Sequence, residues 1–233
     1  SHAEALAALT LTQLANPGAP IMYGTFTSNV DMRSGAPAFG TPEHFKASLI
    51  AGQLARLLGL PWRCAAGSAA NLNDAQAANE NQFAVWGCML AGATLTIHAA
   101  GWLEGGLTVS FEKIITDTEV LNMMAEMCRT TAADEANIAF EALQQVEPGG
   151  HFFGCQHTMD RYETEFYNPL VADLSNFGTW TERGAKDASQ RATGMWQQIL
   201  ADDKRPPVPG DRLAAMEAFI DKRTAEGGAP PES

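Results

Sequence analysis

The regular alternation of short apolar segments with longer helical segments constrains the fold of this chain more than any other feature. β-like runs are expected at residues 20–26, 60–65 and 93–98, and each precedes a stretch whose apolar residues have helical spacing. Strand, helix and strand recur within about 30 residues, which is the repeat of parallel α/β units. The sequence therefore predicts an α/β protein with a parallel sheet.

Capping residues place the helices between these strands. Thr41 predicts the start of the first helix and Gly59 its left-handed end. Asp74 and Ser110 have the side chains that cap the next two helices. A further helix is expected over about residues 136–146.

Parallel α/β repeats of this kind occur in (β/α) barrels and in doubly wound sheets. We expect a (β/α) TIM-barrel type of fold, with too few strands here to close a barrel of eight. Residues 1–155 are then the C-terminal part of the barrel, and residues 156–233 are a helical C-terminal extension packed on it. Because the chain opens on Ser1-His2 with neither an initiator Met nor a basic segment, we expect the other strands upstream.

The composition excludes several classes of protein. A hydrophobic content of 45% is enough for a core, and no apolar run reaches the roughly 20 residues that span a bilayer. A net charge of −12 without a basic cluster argues against nucleic acid and anionic membranes, although it also favours a cationic ligand. The four scattered cysteines are typical of reduced thiols in the cytoplasm.

Functional groups in such folds gather on the loops after the strands. The first loop carries Asn29 and Asp31 and is longer than the usual connection of about 2–6 residues. A second polar loop lies near residues 67–73. The third carries His98, Trp102 and Glu104 between glycines.

Each candidate side chain has two interpretations. Trp102 with Glu104 forms half of an aromatic and acidic pocket for a quaternary ammonium group, or else Trp102 only packs and Glu104 is solvated. His98 is a functional group or a structurally satisfied one. Cys155 and His157 form a two-ligand fragment of a metal site or, more simply, pack. The sequence contains no Walker loop, G-x-G-x-x-G or H-E-x-x-H motif.

Five segments, taken in order, resemble the trimethylamine:corrinoid methyltransferase family, and the resemblance covers about residues 5 to 200. These segments are residues 18–24 (GAPIMYG), 31–40 (DMRSGAPAFG), 74–77 (DAQA), 98–106 (HAAGWLEGG) and 148–152 (PGGHF). The resemblance implies a TIM barrel that passes a methyl group from a methylated amine to the cobalt of a separate corrinoid protein.

Trimethylamine members of this family carry a genetically encoded pyrrolysine, whereas this chain contains only the ordinary twenty residues. There are two explanations. Either the pyrrolysine position of the family lies in a part of this chain that the shared motifs do not align, or the chain is similar to the glycine betaine methyltransferases, the branch without pyrrolysine. We expect the second case, in which quaternary amines are the substrates.

The resemblance implies a corrinoid (cobalamin) supplied by a cognate partner protein, with no metal bound by the chain itself. We expect His98 and Glu104 as catalytic residues. The expected substrate-binding residues are Tyr23, Phe26, Asn29, Asp31, Trp102 and His157. A homodimer that covers the open strand edges is also expected. The alternative is a non-catalytic amine-binding or assembly module on the same fold.

Overall fold

The computed structural model describes residues 1–204 and 207–228 of the chain. The chain divides into two compact units, Ser1–Gln197 and Gln198–Ser233. All the strands and the candidate site lie in the first unit. In the described residues, no helix is long and apolar enough to cross a membrane.

The described residues contain short strands that form one parallel sheet and two hairpins. The strands are β1 (Tyr23–Gly24), β2 (Asn29–Val30), β3 (Pro37–Ala38), β4 (Trp62–Ala65), β5 (Leu95–Ile97), β6 (Trp102–Leu103) and β7 (Thr108–Val109). β1, β4 and β5 are parallel in the order β1-β4-β5, while β2 pairs with β3 and β6 with β7 in antiparallel hairpins. The predicted α/β class and its three parallel strands are confirmed.

Helices follow the strands as the capping residues predict. They are α1 (His2–Ala15), α2 (Pro42–Leu57), α3 (Ala75–Leu90), α4 (Phe111–Met127), α5 (Glu135–Ile138), α6 (Phe140–Gln144), α7 (Gln156–Arg161), α8 (Phe177–Glu182), α9 (Ala188–Ala201) and α10 (Gly210–Ala225). The side chains of Thr41, Asp74 and Ser110 accept backbone N–H groups at the starts of α2, α3 and α4. Gly59 follows α2 with a φ of 65°, which confirms the predicted end of that helix.

One face of the parallel sheet packs against α2 and α3. Trp62 and Cys64 of β4 lie in a buried cluster with Ala55 of α2 and Cys88 of α3. The two helices approach closely at Gly52, where a Cβ atom would lie 2.3 Å from the carbonyl oxygen of Ala91. The helices therefore determine which face of the sheet is interior.

In each strand, the residues between those that face α2 and α3 point to the opposite face of the sheet. Gly24, Arg63 and Leu95 are neighbours across the sheet, and each alternates with residues that face the helices. Leu95 is 47% exposed, and Arg63 is half-buried. This second face of the sheet carries a charged side chain between a glycine and a partly exposed leucine.

The helix predicted over residues 136–146 is interrupted, and this part of the prediction is wrong. Ala139 has a left-handed φ of 52° and separates α5 from α6. The carbonyl oxygen of Ala136 accepts a hydrogen bond from His157 Nε2 at 3.0 Å. That carbonyl is the one a continuous helix pairs with the N–H of Phe140, so a tertiary contact replaces the helical hydrogen bond.

The segment between residues 166 and 197 packs on α4. Ile115 of α4 shares a buried cluster with Val171 and with Ala192 of α9. The carboxylate of Glu112 accepts a hydrogen bond from Trp196 Nε1 at 2.7 Å. The predicted boundary at residue 155 stays a prediction, and residues 205–206 and 229–233 of the predicted extension lie outside the described residues.

Candidate functional site

The turns that follow the three parallel strands meet at one edge of the sheet. Directly after β4, the N–H of Ala66 donates to the carbonyl of Ile97 at 3.0 Å. The N–H of Gly105 donates to the carbonyl of Ser68 at 3.1 Å, and Glu104 N–H donates to a carbonyl two residues further along the same turn. The carboxyl edge of the sheet therefore forms one continuous surface, as parallel strands require.

An aromatic cluster of Phe26, Phe39, His98 and Trp102 occupies this surface. The ring centroids of His98 and Trp102 lie 4.0 Å apart with an interplanar angle of 12°, which is a stacked pair. Phe26 lies 5.8 Å from Trp102 and 6.1 Å from His98, and Phe39 lies 5.3 Å from Trp102. Side chains from the ends of two strands and from two hairpins thus form one group of rings. Sequence reasoning named three of the four and missed Phe39.

Two glycines hold the Trp102 ring in place. A Cβ atom at Gly67 would lie 2.3 Å from Trp102 Cε3, and one at Gly106 would lie 2.3 Å from Trp102 Cζ2. Any side chain at these positions would overlap the indole. Because these two residues lack a side chain, the backbone can lie directly against the indole ring of Trp102.

His98 and Glu104 both adopt left-handed backbone conformations, with φ of 57° and 52°. Such values are uncommon outside glycine, and residues of this kind concentrate at functional sites. Burial, with a smaller contribution from the charge of Arg63, lowers the pKa of His98. The lowered pKa favours the neutral imidazole; the residue as a whole is exposed, and its ring lies against that of Trp102. The exposed Glu104 carboxylate accepts a hydrogen bond from Thr108 Oγ1 at 2.8 Å.

Arg63 is a candidate site residue that sequence reasoning missed. Its guanidinium lies over Gly24, where a Cβ atom would be 3.2 Å from an Arg63 terminal nitrogen. Within residues 1–204 and 207–228, no carboxylate or hydrogen-bond acceptor pairs with this guanidinium. The available signal was a charged residue between Trp62 and Cys64 in an otherwise apolar strand. The site therefore offers a cation with free donors close to His98.

The residues of the first loop are engaged within its hairpin. The Asn29 Oδ1 atom accepts a hydrogen bond from Thr41 Oγ1 at 2.7 Å, which ties β2 to the start of α2. Asp31 accepts Ser34 Oγ at 2.6 Å, and this hydrogen bond is the largest cause that lowers the Asp31 pKa. Both predicted residues thus have local structural partners.

Tyr23 and His157 lie apart from the aromatic cluster. Tyr23 is buried against α2, and its hydroxyl pairs with His2 Nδ1 at 2.9 Å; burial raises the Tyr23 pKa. His157 lines a separate cleft of about 750 Å³ with Phe140 and Glu141. In the described part of the chain, no ring contact or hydrogen bond joins either residue to Trp102.

Buried and half-buried side chains behind the surface hold its turns, and sequence reasoning missed them. Glu80 of α3 accepts Ser68 Oγ at 2.7 Å and two backbone N–H groups of the same turn. His44 accepts the N–H of Gly40 at 3.1 Å, and burial lowers its pKa. Asp117 of α4 accepts the N–H of Gly101 at 2.9 Å. In the sequence, a carboxylate within a helix, such as Glu80 or Asp117, is expected to face solvent. Only the tertiary contacts show that these side chains hold the turns.

The chemistry available at this edge is recognition of a small charged molecule. Ring faces attract organic cations, the Glu104 carboxylate adds negative charge, and a guanidinium such as that of Arg63 is suited to a carboxylate. Among the described residues, no group of three or more His, Cys, Asp or Glu side chains could hold a metal ion. All four cysteines are free.

The structure defines an α/β protein with an aromatic cluster at the carboxyl edge of a parallel sheet. The family model described as trimethylamine methyltransferase (MTTB) matches residues 1–228. The chain belongs to this family, as the five sequence segments indicate.

Named relatives support the same assignment. A glycine betaine methyltransferase from Desulfitobacterium hafniense (strain Y51) is 36% identical over 228 residues, which is 97% of this chain and 47% of the relative. The trimethylamine methyltransferase MttB2 of Methanosarcina mazei is 33% identical over 223 residues, or 95% of this chain and 44% of the relative. The chain spans about half the length of these relatives.

Proposed function

We propose that this chain forms the substrate-binding part of a corrinoid-dependent methyltransferase whose substrate is a betaine-like quaternary amine. The observation that carries the proposal is the juxtaposition of the aromatic cluster with the unpaired guanidinium of Arg63. A betaine has a methylated cation at one end and a carboxylate at the other. The site offers a complementary group for each.

The aromatic rings hold the cationic end. Phe26 and Trp102 present ring faces or edges whose attraction for an ammonium group needs no hydrogen bond, which suits a nitrogen without N–H donors. A neutral His98 adds a ring without repelling the cation. Glu104 supplies a negative charge on the neighbouring turn. We assign His98 and Glu104 to direct contact with the substrate.

Arg63 then binds the carboxylate end. Its donors are unpaired among the described residues, and a guanidinium binds a carboxylate through two parallel hydrogen bonds. An amine without a carboxylate, such as choline or trimethylamine, has no group that can accept hydrogen bonds from the Arg63 guanidinium as a pair. The position of Arg63 favours betaines over simple amines as substrates.

The reaction that this site supports is transfer of one methyl group. The C–N bond breaks, its electron pair stays on nitrogen, and the methyl group joins a Co(I) corrinoid carried by a separate protein. The quaternary cation leaves as a neutral tertiary amine. The residues of the chain contribute by orienting the cation with one methyl group open to the acceptor, and no proton transfer is required.

The remaining predicted residues suit supporting roles. Tyr23 packs beneath the sheet, Asn29 and Asp31 stabilise the hairpin that presents Phe39, and His157 fixes the break between α5 and α6. Their contacts give none of the four a direct path to the amine.

The proposal also includes the wider architecture. Strands β1 and β5 are the outer strands of the sheet, and Leu95 is 47% exposed on its second face. A complete TIM barrel, built with the part of the relatives that this chain does not span, would pair these strands and cover this face. A homodimer that pairs the open edges is the alternative cover. The free cysteines are in keeping with a cytoplasmic protein.

The first test measures ligand binding by calorimetry with glycine betaine, choline and trimethylamine. We expect Arg63→Gln to weaken glycine betaine binding about tenfold to a hundredfold, since hydrogen bonds between charged groups are lost, and to leave choline binding unchanged. Arg33→Gln, on the exposed tip of the first hairpin, is the matched control. Equal affinity of the wild-type chain for betaine and choline would contradict the proposed substrate class.

The second test measures methylation of a reduced corrinoid protein by its visible spectrum. The 233-residue chain is assayed beside a longer polypeptide that supplies the rest of the barrel found in the relatives. Betaine-dependent methylation by the longer protein supports the proposal. Betaine binding without methylation in both would identify the alternative, a non-catalytic amine-binding module.

A further inference from the structure

A buried ion pair lies behind the turn that carries His98 and Trp102. Lys113 and Asp117, one helical turn apart on α4, are 0% and 2% exposed, and Lys113 Nζ lies 2.9 Å from Asp117 Oδ1. Lys113 also donates to the carbonyl of Ala77 on α3 at 3.3 Å. The pair thus sits at the contact between two helices, without access to solvent.

Both helices hold the backbone of the turn. The second oxygen of Asp117, Oδ2, accepts the N–H of Gly101 at 2.9 Å. From α3, the side-chain amide of Asn81 donates to the carbonyl of Ala99 at 2.9 Å. Gly101 has a φ of 87°, and a Cβ atom there would lie 2.5 Å from Ile114 Cγ1. The turn is therefore fixed at two residues, Ala99 and Gly101.

The residues on either side of this turn form the stacked pair of the aromatic cluster. His98 leaves β5 in a left-handed conformation and lies parallel to the Trp102 ring at 4.0 Å. A residue held in that conformation depends on its surroundings, because the backbone alone does not favour it. The hydrogen bonds to Ala99 and Gly101 are the contacts that fix the chain between the two rings.

Stability alone does not account for an ion pair at this place. Two buried charges lose their hydration, and an apolar pair of similar volume is often as stable. We infer that Asp117 is a positioning residue that sets the His98–Trp102 stack through its hydrogen bond to Gly101, and Lys113 keeps its carboxylate oriented. The consequence for substrate rests on the proposed function, whereas the effect on the stack does not.

The chemistry of Asp117 suggests a decisive set of variants. Its two oxygens accept from two donors, Lys113 Nζ and Gly101 N–H, and the Asn81 side chain is a further hydrogen-bond partner of the carboxylate. Asp117→Asn leaves one acceptor oxygen for both donors, so one of them faces an amide NH₂ group. Adding Lys113→Met removes the competing donor and frees the amide oxygen for Gly101. The double variant therefore restores the hydrogen bond without restoring the charge.

The readout is the NMR signal of the His98 ring in the 233-residue chain, assigned with His98→Gln. The stacked indole shields the ring, so Asp117→Asn moves this signal toward the position of an unstacked histidine, and the double variant returns it. Glycine betaine binding weakens by up to about 100-fold in the single variant and recovers in the double variant. Asn81→Leu, which keeps all charges and loses the hydrogen bonds to Ala99 and to Asp117, shifts the same signal.

Glu119→Gln is the matched control. Glu119 is a buried carboxylate on the same helix, 5% exposed, and it accepts the backbone N–H groups of Val171 and Ala172 instead. An unchanged His98 signal in both Asp117→Asn and Asn81→Leu would overturn the inference. So would an equal shift in Glu119→Gln, which would indicate general loosening of α4. An altered His98 signal without any betaine binding by the wild type upholds the positioning role and rejects the proposed substrate.

Discussion

Substituting Gly67 by alanine tests whether the turns after β4 and β5 meet at Trp102. Gly67 has a φ of 131°, and its Cβ position lies 2.3 Å from Trp102 Cε3. Real Cβ atoms do not approach a ring this closely, so the indole or the turn must move. The substitution adds one methyl group and no charge, and the expected effect is therefore steric.

The size of the effect follows from two contributions. A non-glycine residue in an unfavourable backbone conformation costs about 1–3 kcal/mol, and forcing an extra methyl group into a packed contact costs about 1–3 kcal/mol. Gly59→Ala is the matched control, since Gly59 has a φ of 65° but no atom within 4 Å of its Cβ position. In this control, backbone strain alone lowers the free energy of unfolding by about 1–2 kcal/mol. We expect Gly67→Ala to lose about 1–3 kcal/mol more than Gly59→Ala, which is the packing contribution.

Urea-induced unfolding of the two variants, followed by circular dichroism, measures this difference. The His98 NMR signal is recorded in parallel, because displacement of Trp102 disrupts the stacked pair. Gly67→Ala should shift that signal and weaken glycine betaine binding, whereas Gly59→Ala should do neither. Equal losses of unfolding free energy, with the His98 signal unchanged in both variants, would refute the contact between the two turns.

Three further changes test the electrostatics of the first unit. Arg63→Gln should raise the pKa of His98, because it removes a positive charge and leaves the burial unchanged; an NMR titration measures this pKa. Hydrogen bonds, foremost that from Trp196, lower the pKa of Glu112 to about 2 from an ordinary value of 4.5. Its stabilisation is complete above the ordinary value and is lost as pH falls through about 2, so Glu112→Gln should flatten the acid decline of the unfolding free energy. Burial alone would raise the pKa of Glu119, but hydrogen bonds from Tyr167 and two backbone N–H groups hold it low. Tyr167→Phe should destabilise the chain by about 1.5–3 kcal/mol in urea unfolding at neutral pH.

Each of these changes has a control on a comparable surface residue. Arg33→Gln on the first hairpin should leave the His98 pKa unchanged, and Glu217→Gln on α10 should leave the acid decline unchanged. Tyr162→Phe removes a hydroxyl that contacts only the neighbouring Glu163, so it should cost little stability. A fall of the His98 pKa in Arg63→Gln, or matching effects of a variant and its control, would contradict the corresponding assignment.

Local signals in the sequence were sufficient for the three parallel strands and the helices that follow them, but they did not show the two hairpins. Thr41, Asp74 and Ser110 cap helices because a side-chain oxygen satisfies N–H groups two or three residues away. Where a distant contact intervenes, the local prediction is wrong, as at Ala139. There the His157 ring takes the carbonyl that a continuous helix needs.

The candidate site was only partly predictable for the same reason. His98, Trp102 and Glu104 lie on one loop, and their spacing and the glycines around them identify that loop as unusual. Phe39 and Arg63 join the site through the hairpin and the central strand. The charge of Arg63 within an apolar strand marks it as unusual, but no residue near either position shows which other residues it meets.

By itself, the sequence determined the order of the three parallel strands and of the helices that follow them, the caps of those helices and the family to which the chain belongs. Those properties depend on residues close together along the chain or on ordered motifs. Only the tertiary structure decided that Arg63 points away from the helices, that Trp102 lies between Gly67 and Gly106, and that Asp117 holds the turn before Trp102. Such contacts depend on the register of parallel strands and on how α3 and α4 pack, and both bring together residues that are distant in sequence.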